Sequence, residues 1–180
     1  MTTLHRVLAL LWWLVFLAPL GARAQDTGTL HLHPLHLDFP ATWTFDGSKR
    51  PIEGKGPQGE KVLISIARQR PGAASGPGPS ARDMAKGLED VLKGLAAKTG
   101  KVLVRPVSEF PVPEGKVGYS SATESSGFLG GKSYFIQYAL VAPGVIFFIT
   151  FEGDGEALAA LQRFDAVFAT QRWDDPPPAQ

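Results

Sequence analysis

Apolar residues alternate with polar ones in some stretches of this chain and recur at helical spacing in others, and the two periods divide it into strands and helices. Leu30, Leu32, Leu35, Leu37 and Phe39 predict a strand from Thr29, interrupted at Pro34, a residue that belongs on an edge or at a bulge. His31 and His33 fall on one face of that strand, with His36 on the other unless Pro34 bends the chain. A turn at Pro40 leads to a second short strand, Thr42 to Phe45, and Asp46 to Gly59 is rich in Gly, Pro and Lys. Lys61 to Arg68 then sets Val62, Ile64 and Ile66 against Ser65 and Ala67, the pattern of a half-buried strand.

Pro71 to Pro79 holds only Gly, Pro, Ala and Ser and reads as an exposed loop. Ser80 is a candidate N-cap for a helix in which Met84, Leu88, Val91, Leu92 and Leu95 form a stripe, Glu89 precedes Lys93 by one turn, and Gly100 is the stop. Lys101 to Val107, Lys116 to Ser125, Lys132 to Val141 and Val145 to Glu152 are four further strands, joined by turn residues and expected as sequential antiparallel neighbours. Both faces of the last two are apolar, since Phe135, Ala139 and Val141 oppose Tyr134, Ile136, Tyr138 and Leu140. That doubling predicts a sheet covered on both sides. Asp154 is placed to cap a final helix striped by Leu158, Leu161, Phe164, Val167 and Phe168, and Trp173 closes the ordered chain.

Composition adds a location. Val7 to Leu20 is an apolar run of 14 residues after a weakly basic start, and Ala22-Arg23-Ala24 is a small-x-small cleavage pattern. The run is shorter than the roughly 20 residues that span a bilayer, so a signal peptide over 1–24 is expected to be removed, leaving no stable membrane insertion. The expected organisation is a signal peptide over 1–24, one domain over 25–173 and a Pro-rich tail over 174–180, exported to the periplasm or the medium. Loss of Arg6 and Arg23 takes the 18 basic residues to 16 against 17 acids, and without a basic run the chain lacks the footprint of a nucleic-acid binder. The absence of cysteine excludes thiol catalysis, disulfides and Cys-ligated metals.

The segment Phe39-Pro40-Ala41-Thr42-Trp43, and the closing run of paired aromatic strands plus helix from Tyr134 to Trp173, resemble the PsbP-like superfamily. That group includes a photosystem extrinsic subunit, a Ran-binding relative and DcrB-type bacterial envelope proteins. The resemblance covers roughly residues 30–173. It implies an α+β fold, an α/β/α sandwich with a central, mainly antiparallel sheet flanked by helices, and it brings no active site.

Chemistry-bearing patterns are few. His31, His33 and His36 are the candidate metal ligands, read either as part of a zinc or copper site completed from elsewhere or as solvated residues of an edge strand. Gly54-Lys55-Gly56-Pro57-Gln58-Gly59 spells a dinucleotide fingerprint, but it precedes a strand and so offers no helix N-terminus to a pyrophosphate. No Gly-x-Ser-x-Gly elbow is present. Glu152, Asp154 and Glu156 gather where a helix start favours carboxylates. Trp43, Tyr119, Tyr134 and Tyr138 are either groove-lining residues or ordinary core. The leading expectation is an exported, non-catalytic binding or accessory protein with a protein partner and no cofactor. The alternatives are a hydrolase whose reaction centre the sequence conceals and metal handling through the histidine segment.

Overall fold

The computed structural model describes residues 27–68, 102–127 and 130–174, together with positions 86, 87, 89–91, 93, 94 and 97. Among the described residues, ten strands form two antiparallel sheets. The first contains β1 (Thr27–His31), β2 (Leu35–Pro40) and β10 (Arg172–Trp173), in the order β1-β2-β10. The second contains β3 (Thr44–Asp46), β4 (Ile52–Lys55), β5 (Lys61–Arg68), β6 (Val102–Glu109), β7 (Val117–Ser126), β8 (Lys132–Ala142) and β9 (Val145–Asp154), in the order β3-β4-β5-β9-β8-β7-β6. One complete helix, α1 (Ala157–Ala169), lies between β9 and β10, and the described positions between 86 and 97 are helical, with Lys93 bonded to Glu89 at 2.6 Å.

The helix-flanked sandwich expected from the resemblance is therefore corrected to a mostly β architecture of two sheets. The strand read from Thr29 with an interruption at Pro34 folds back on itself at His33-Pro34, and the resulting hairpin makes a sheet of its own with β10. Leu35, Leu37 and Phe39 of β2 are fully buried, and Phe39 meets Phe151 of the large sheet at 6.3 Å between ring centroids. One face of the large sheet is thus covered jointly by α1 and this small sheet. The second face carries a smaller cluster, Tyr119, Ala139 and Val141 with Val107, Val117, Ile146 and Phe148 beside it. Two-sided apolar strands report burial on both faces but do not say what covers each.

The helix packs because its apolar residues recur every three or four positions: Ala157, Ala160, Leu161, Phe164, Val167 and Phe168 are buried. Leu158 lies off this stripe and is 62% exposed. Phe164 stacks on Phe151 at 3.9 Å and Phe168 on Tyr138 at 3.8 Å, which fastens the helix to β9 and β8. Each fully buried aromatic or aliphatic side chain of this size contributes about 1.5–3 kcal/mol. Asp154 does not cap the helix. The carboxylate of Glu124, on β7, accepts the Ala157 N–H at 2.9 Å, and this bond followed by Lys132 holds the Glu124 carboxyl below its ordinary value. Lys132 also bridges to Glu156 at 2.8 Å.

Sequential hairpins fix the order of β6 to β9. Between β8 and β9, Pro143-Gly144 forms the turn, and Gly144 takes φ +74°, the left-handed conformation that its position requires. The stretch read as Gly-, Pro- and Lys-rich contains a strand after all, β4, and the dinucleotide-like glycines form its hairpin to β5, where the Gly56 N–H donates to the Glu60 carbonyl. No helix among the described residues is long and apolar enough to cross a membrane. Segments 1–24 and 71–79, with residues 175–180 of the tail, lie outside the described residues.

Candidate functional site

The three histidines meet at the turn of the β1-β2 hairpin. Leu32 N–H donates to the Leu35 carbonyl at 2.8 Å, so the neighbouring pair His31 and His36 face each other where antiparallel side chains come closest. Their Nδ1 atoms are 2.7 Å apart and their rings cross at 77°. The bend at Pro34 has brought His36 to His31, whereas unbroken alternation placed them on opposite faces.

Asp174 completes the group. Its backbone N–H donates to the Pro34 carbonyl at 2.8 Å, which brings its carboxylate to His36 Nε2 at 2.8 Å and to His33 Nδ1 at 2.7 Å. Bonds from His36 and then His33 hold the Asp174 carboxyl below its ordinary value. An ionised carboxylate only accepts, so both facing ring nitrogens carry protons. The Nδ1 atoms of His31 and His36 share a single hydrogen bond, whichever ring donates. The result is a hydrogen-bonded chain from His31 through His36 to Asp174, with His33 joining at the other Asp174 oxygen. His31 and His33 are exposed, whereas His36 retains 17% side-chain exposure. Sequence reading placed Asp174 in the tail, because the contact that fixes it spans 138 residues.

Beside this chain opens a cavity of about 420 Å³ lined by His33, Pro34, Arg68, Lys116, Trp173 and Asp174 among others. Arg68 donates to the His33 carbonyl at 2.5 Å and Lys116 sits over the Trp173 ring at 5.1 Å. Trp173 packs edge-on against Phe147 at 5.8 Å.

A second groove, about 640 Å³, runs between the C-terminal half of α1 and the edge strand β6. Bulges on both sides of Arg105 shift the β6 register, pairing Arg105 with the buried Ala122 and turning its guanidinium toward α1. Arg105 grips Asp165 with two bonds of 3.0 and 2.7 Å and reaches Ser120 at 3.2 Å. The Tyr138 hydroxyl donates to Asp165 at 2.6 Å. Burial raises the Asp165 carboxyl, but the Arg105 and Tyr138 bonds outweigh it and hold the group below its ordinary value. Burial also pushes the Tyr138 hydroxyl upward. Phe110, Pro111, Phe168 and Ala169 supply the apolar wall. Neither Arg105 nor Asp165 was marked by the sequence, since 60 residues separate them.

Of the four aromatic residues singled out, Tyr119 and Tyr138 are buried, Tyr134 is buried at the edge of a cavity beside Gly153, and the half-buried Trp43 packs against Phe39, Phe45, Phe151 and Phe164 while lining a cavity with Leu30 and Ala41.

No family model and no curated protein matches the sequence. Solved structures do match. The chain is similar to the solution structure of cyanobacterial PsbP (CyanoP) from Synechocystis sp. PCC 6803, with a TM-score of 0.52, 10% identity and coverage of 86% of this chain and 96% of that one. It is similar to the Saccharomyces cerevisiae Ran-binding protein Mog1p, at TM-score 0.52, 8% identity and coverage of 83% and 96%. It is also similar to LpqN, involved in cell envelope biogenesis of Mycobacterium tuberculosis, at TM-score 0.51, 14% identity and coverage of 81% and 89%. The resemblance to the PsbP-like superfamily thus holds for the fold.

Proposed function

We propose that this chain is an exported, non-catalytic binding or accessory protein of the bacterial envelope, and that it contacts a protein partner through the groove between α1 and β6. The observation that carries this reading is the state of the Arg105–Asp165 pair in that groove. Arg105, Asp165, Tyr138 and Ser120 are bonded to one another, and Gln171 donates to the Pro111 carbonyl at 2.8 Å. A general acid or base must be free to reach substrate. Groups locked in a mutual network, beside an apolar wall, instead form a rigid surface with fixed charges at its rim, the make-up of a protein contact. The similarity to a Ran-binding protein and to an envelope-biogenesis protein supports the same reading.

A photo-crosslinking residue at Pro111 or Gln171, expressed in the full chain in a native bacterial envelope, is expected to capture one discrete partner. The same residue at Ser65, exposed on β5, is expected to capture none. Ala169→Arg, which fills the groove from an exposed helix position, is expected to abolish the adduct. An adduct insensitive to Ala169→Arg, or equal capture at Ser65, would overturn the proposal.

A further inference from the structure

We infer that His31 and His36 form a two-imidazole site for a cupric ion, with Asp174 as the residue that orients His36 and with His33 outside the coordination sphere. The inference goes beyond the partner-binding role and concerns the β1-β2 turn and Asp174, which follows β10, rather than the groove. It rests on which nitrogens face each other. The two Nδ1 atoms are 2.7 Å apart, joined through one shared proton that a metal would displace. With metal–nitrogen bonds of about 2.0–2.1 Å, nitrogens at this separation subtend about 80° at the ion. That is near the right angle of a tetragonal copper or nickel site and well short of the tetrahedral angle of zinc. An ion held by both nitrogens sits about 1.5 Å to the side of the line joining them, so the exposed His31 ring turns to direct its lone pair there, which also opens the pair toward a right angle.

The surroundings match what a metal-bound imidazole requires. His36 offers Nδ1 to the ion while its Nε2–H donates to the Asp174 carboxylate at 2.8 Å, the arrangement that fixes tautomer and ring orientation in metal sites. His33 stands apart for a different reason: its one side-chain bond runs from Nδ1 to the other Asp174 oxygen at 2.7 Å, and among the described residues it makes no hydrogen bond to His31 or His36. No group of three His, Asp or Glu side chains among the described residues converges on one point, so water fills the remaining positions. Such an open site favours the ion at the head of the Irving–Williams order, which is copper.

The test is titration of the purified full chain with cupric, nickel and zinc salts, followed by quenching of tryptophan fluorescence and by electron paramagnetic resonance of the copper form. One cupric ion per chain is expected, with splitting from two nitrogens and tighter binding than nickel or zinc. His31→Ala and His36→Ala should each abolish that signal, and circular dichroism checks that they fold. Asp174→Asn should weaken binding by about 10- to 100-fold, and His33→Ala should change it by less than about 3-fold. Loss in His33→Ala equal to that in His31→Ala would overturn the assignment. So would a preference for zinc, or no stoichiometric copper signal. Crosslinking at the α1-β6 groove is unaffected by either result, so the two proposals fail separately.

Discussion

Replacing Tyr138 by Phe and Asp165 by Ala, singly and together, tests whether the groove between α1 and β6 is a locked surface. The Tyr138 ring is fully buried, and its hydroxyl donates to Asp165 at 2.6 Å. Tyr138→Phe removes a bond to an ionised acceptor while Arg105 still satisfies Asp165, a loss of about 1.5 kcal/mol. Asp165→Ala loses the same bond and leaves the hydroxyl without its acceptor inside the core. It also releases Arg105, although side-chain exposures of 29% and 41% keep that ion pair to about 1 kcal/mol or less. The expected loss is about 3 kcal/mol, a fall in Tm of roughly 6–12 °C for a domain of this size. In the double variant no hydroxyl is orphaned, and the combined cost is about 2.5 kcal/mol, so the two residues couple by about 2 kcal/mol. Urea unfolding followed by tryptophan fluorescence measures all three variants. The pH dependence has a definite sign. Asp165 is held below its ordinary value, so its stabilisation is complete above the ordinary carboxylate range and is lost as pH falls through that range toward the folded value. Wild type and Asp165→Ala should therefore converge in acid. Additivity of the two substitutions within about 0.5 kcal/mol would refute the bond and the reasoning built on it.

Three further outcomes follow from the core. Phe151→Ala removes a fully buried ring that stacks on Phe164 and touches Phe39, Trp43 and Tyr138, and should cost about 3–5 kcal/mol in chemical denaturation. Gly153→Ala puts a methyl group against the Tyr134 hydroxyl and should cost about 1–3 kcal/mol by thermal melting. The Tyr134 hydroxyl is buried with no hydrogen-bond partner among the described residues, so Tyr134→Phe should be neutral or stabilising by up to about 1 kcal/mol and should partly rescue Gly153→Ala. A Tyr134→Phe variant that is destabilised by more than about 1 kcal/mol would show that the hydroxyl does find a partner.

The strands over Lys61–Arg68, Lys132–Ala142 and Val145–Asp154 and the helix Ala157–Ala169 were legible in the chain, because local periodicity is set by which residues must leave water. The Pro143-Gly144 turn was legible for the same local reason. The resemblance carried by Phe39 to Trp43 and by Tyr134 to Trp173 led to the shared fold, while the layer arrangement implied with it was wrong. Periodicity measures how much of a strand is buried and is silent about whether helix or sheet buries it, so the small sheet of β1, β2 and β10 had no signature. β4 was hidden by Glu53, Gly54 and Lys55, residues that a strand accepts once Phe45 and Val62 pack close over Gly54.

The sites divide along the same line. Sequence proximity marked His31, His33 and His36, and the bend at Pro34 decided that His31 and His36 face each other. Asp174 joined them only through the pairing of β10 with β2, a contact across more than a hundred residues. Arg105 and Asp165 meet only because bulges in β6 turn one toward the helix that carries the other. Side-chain chemistry and local period therefore fixed what each segment could become, whereas the pairing of distant segments, governed by the burial each had left to satisfy, decided which charges stand within reach of one another.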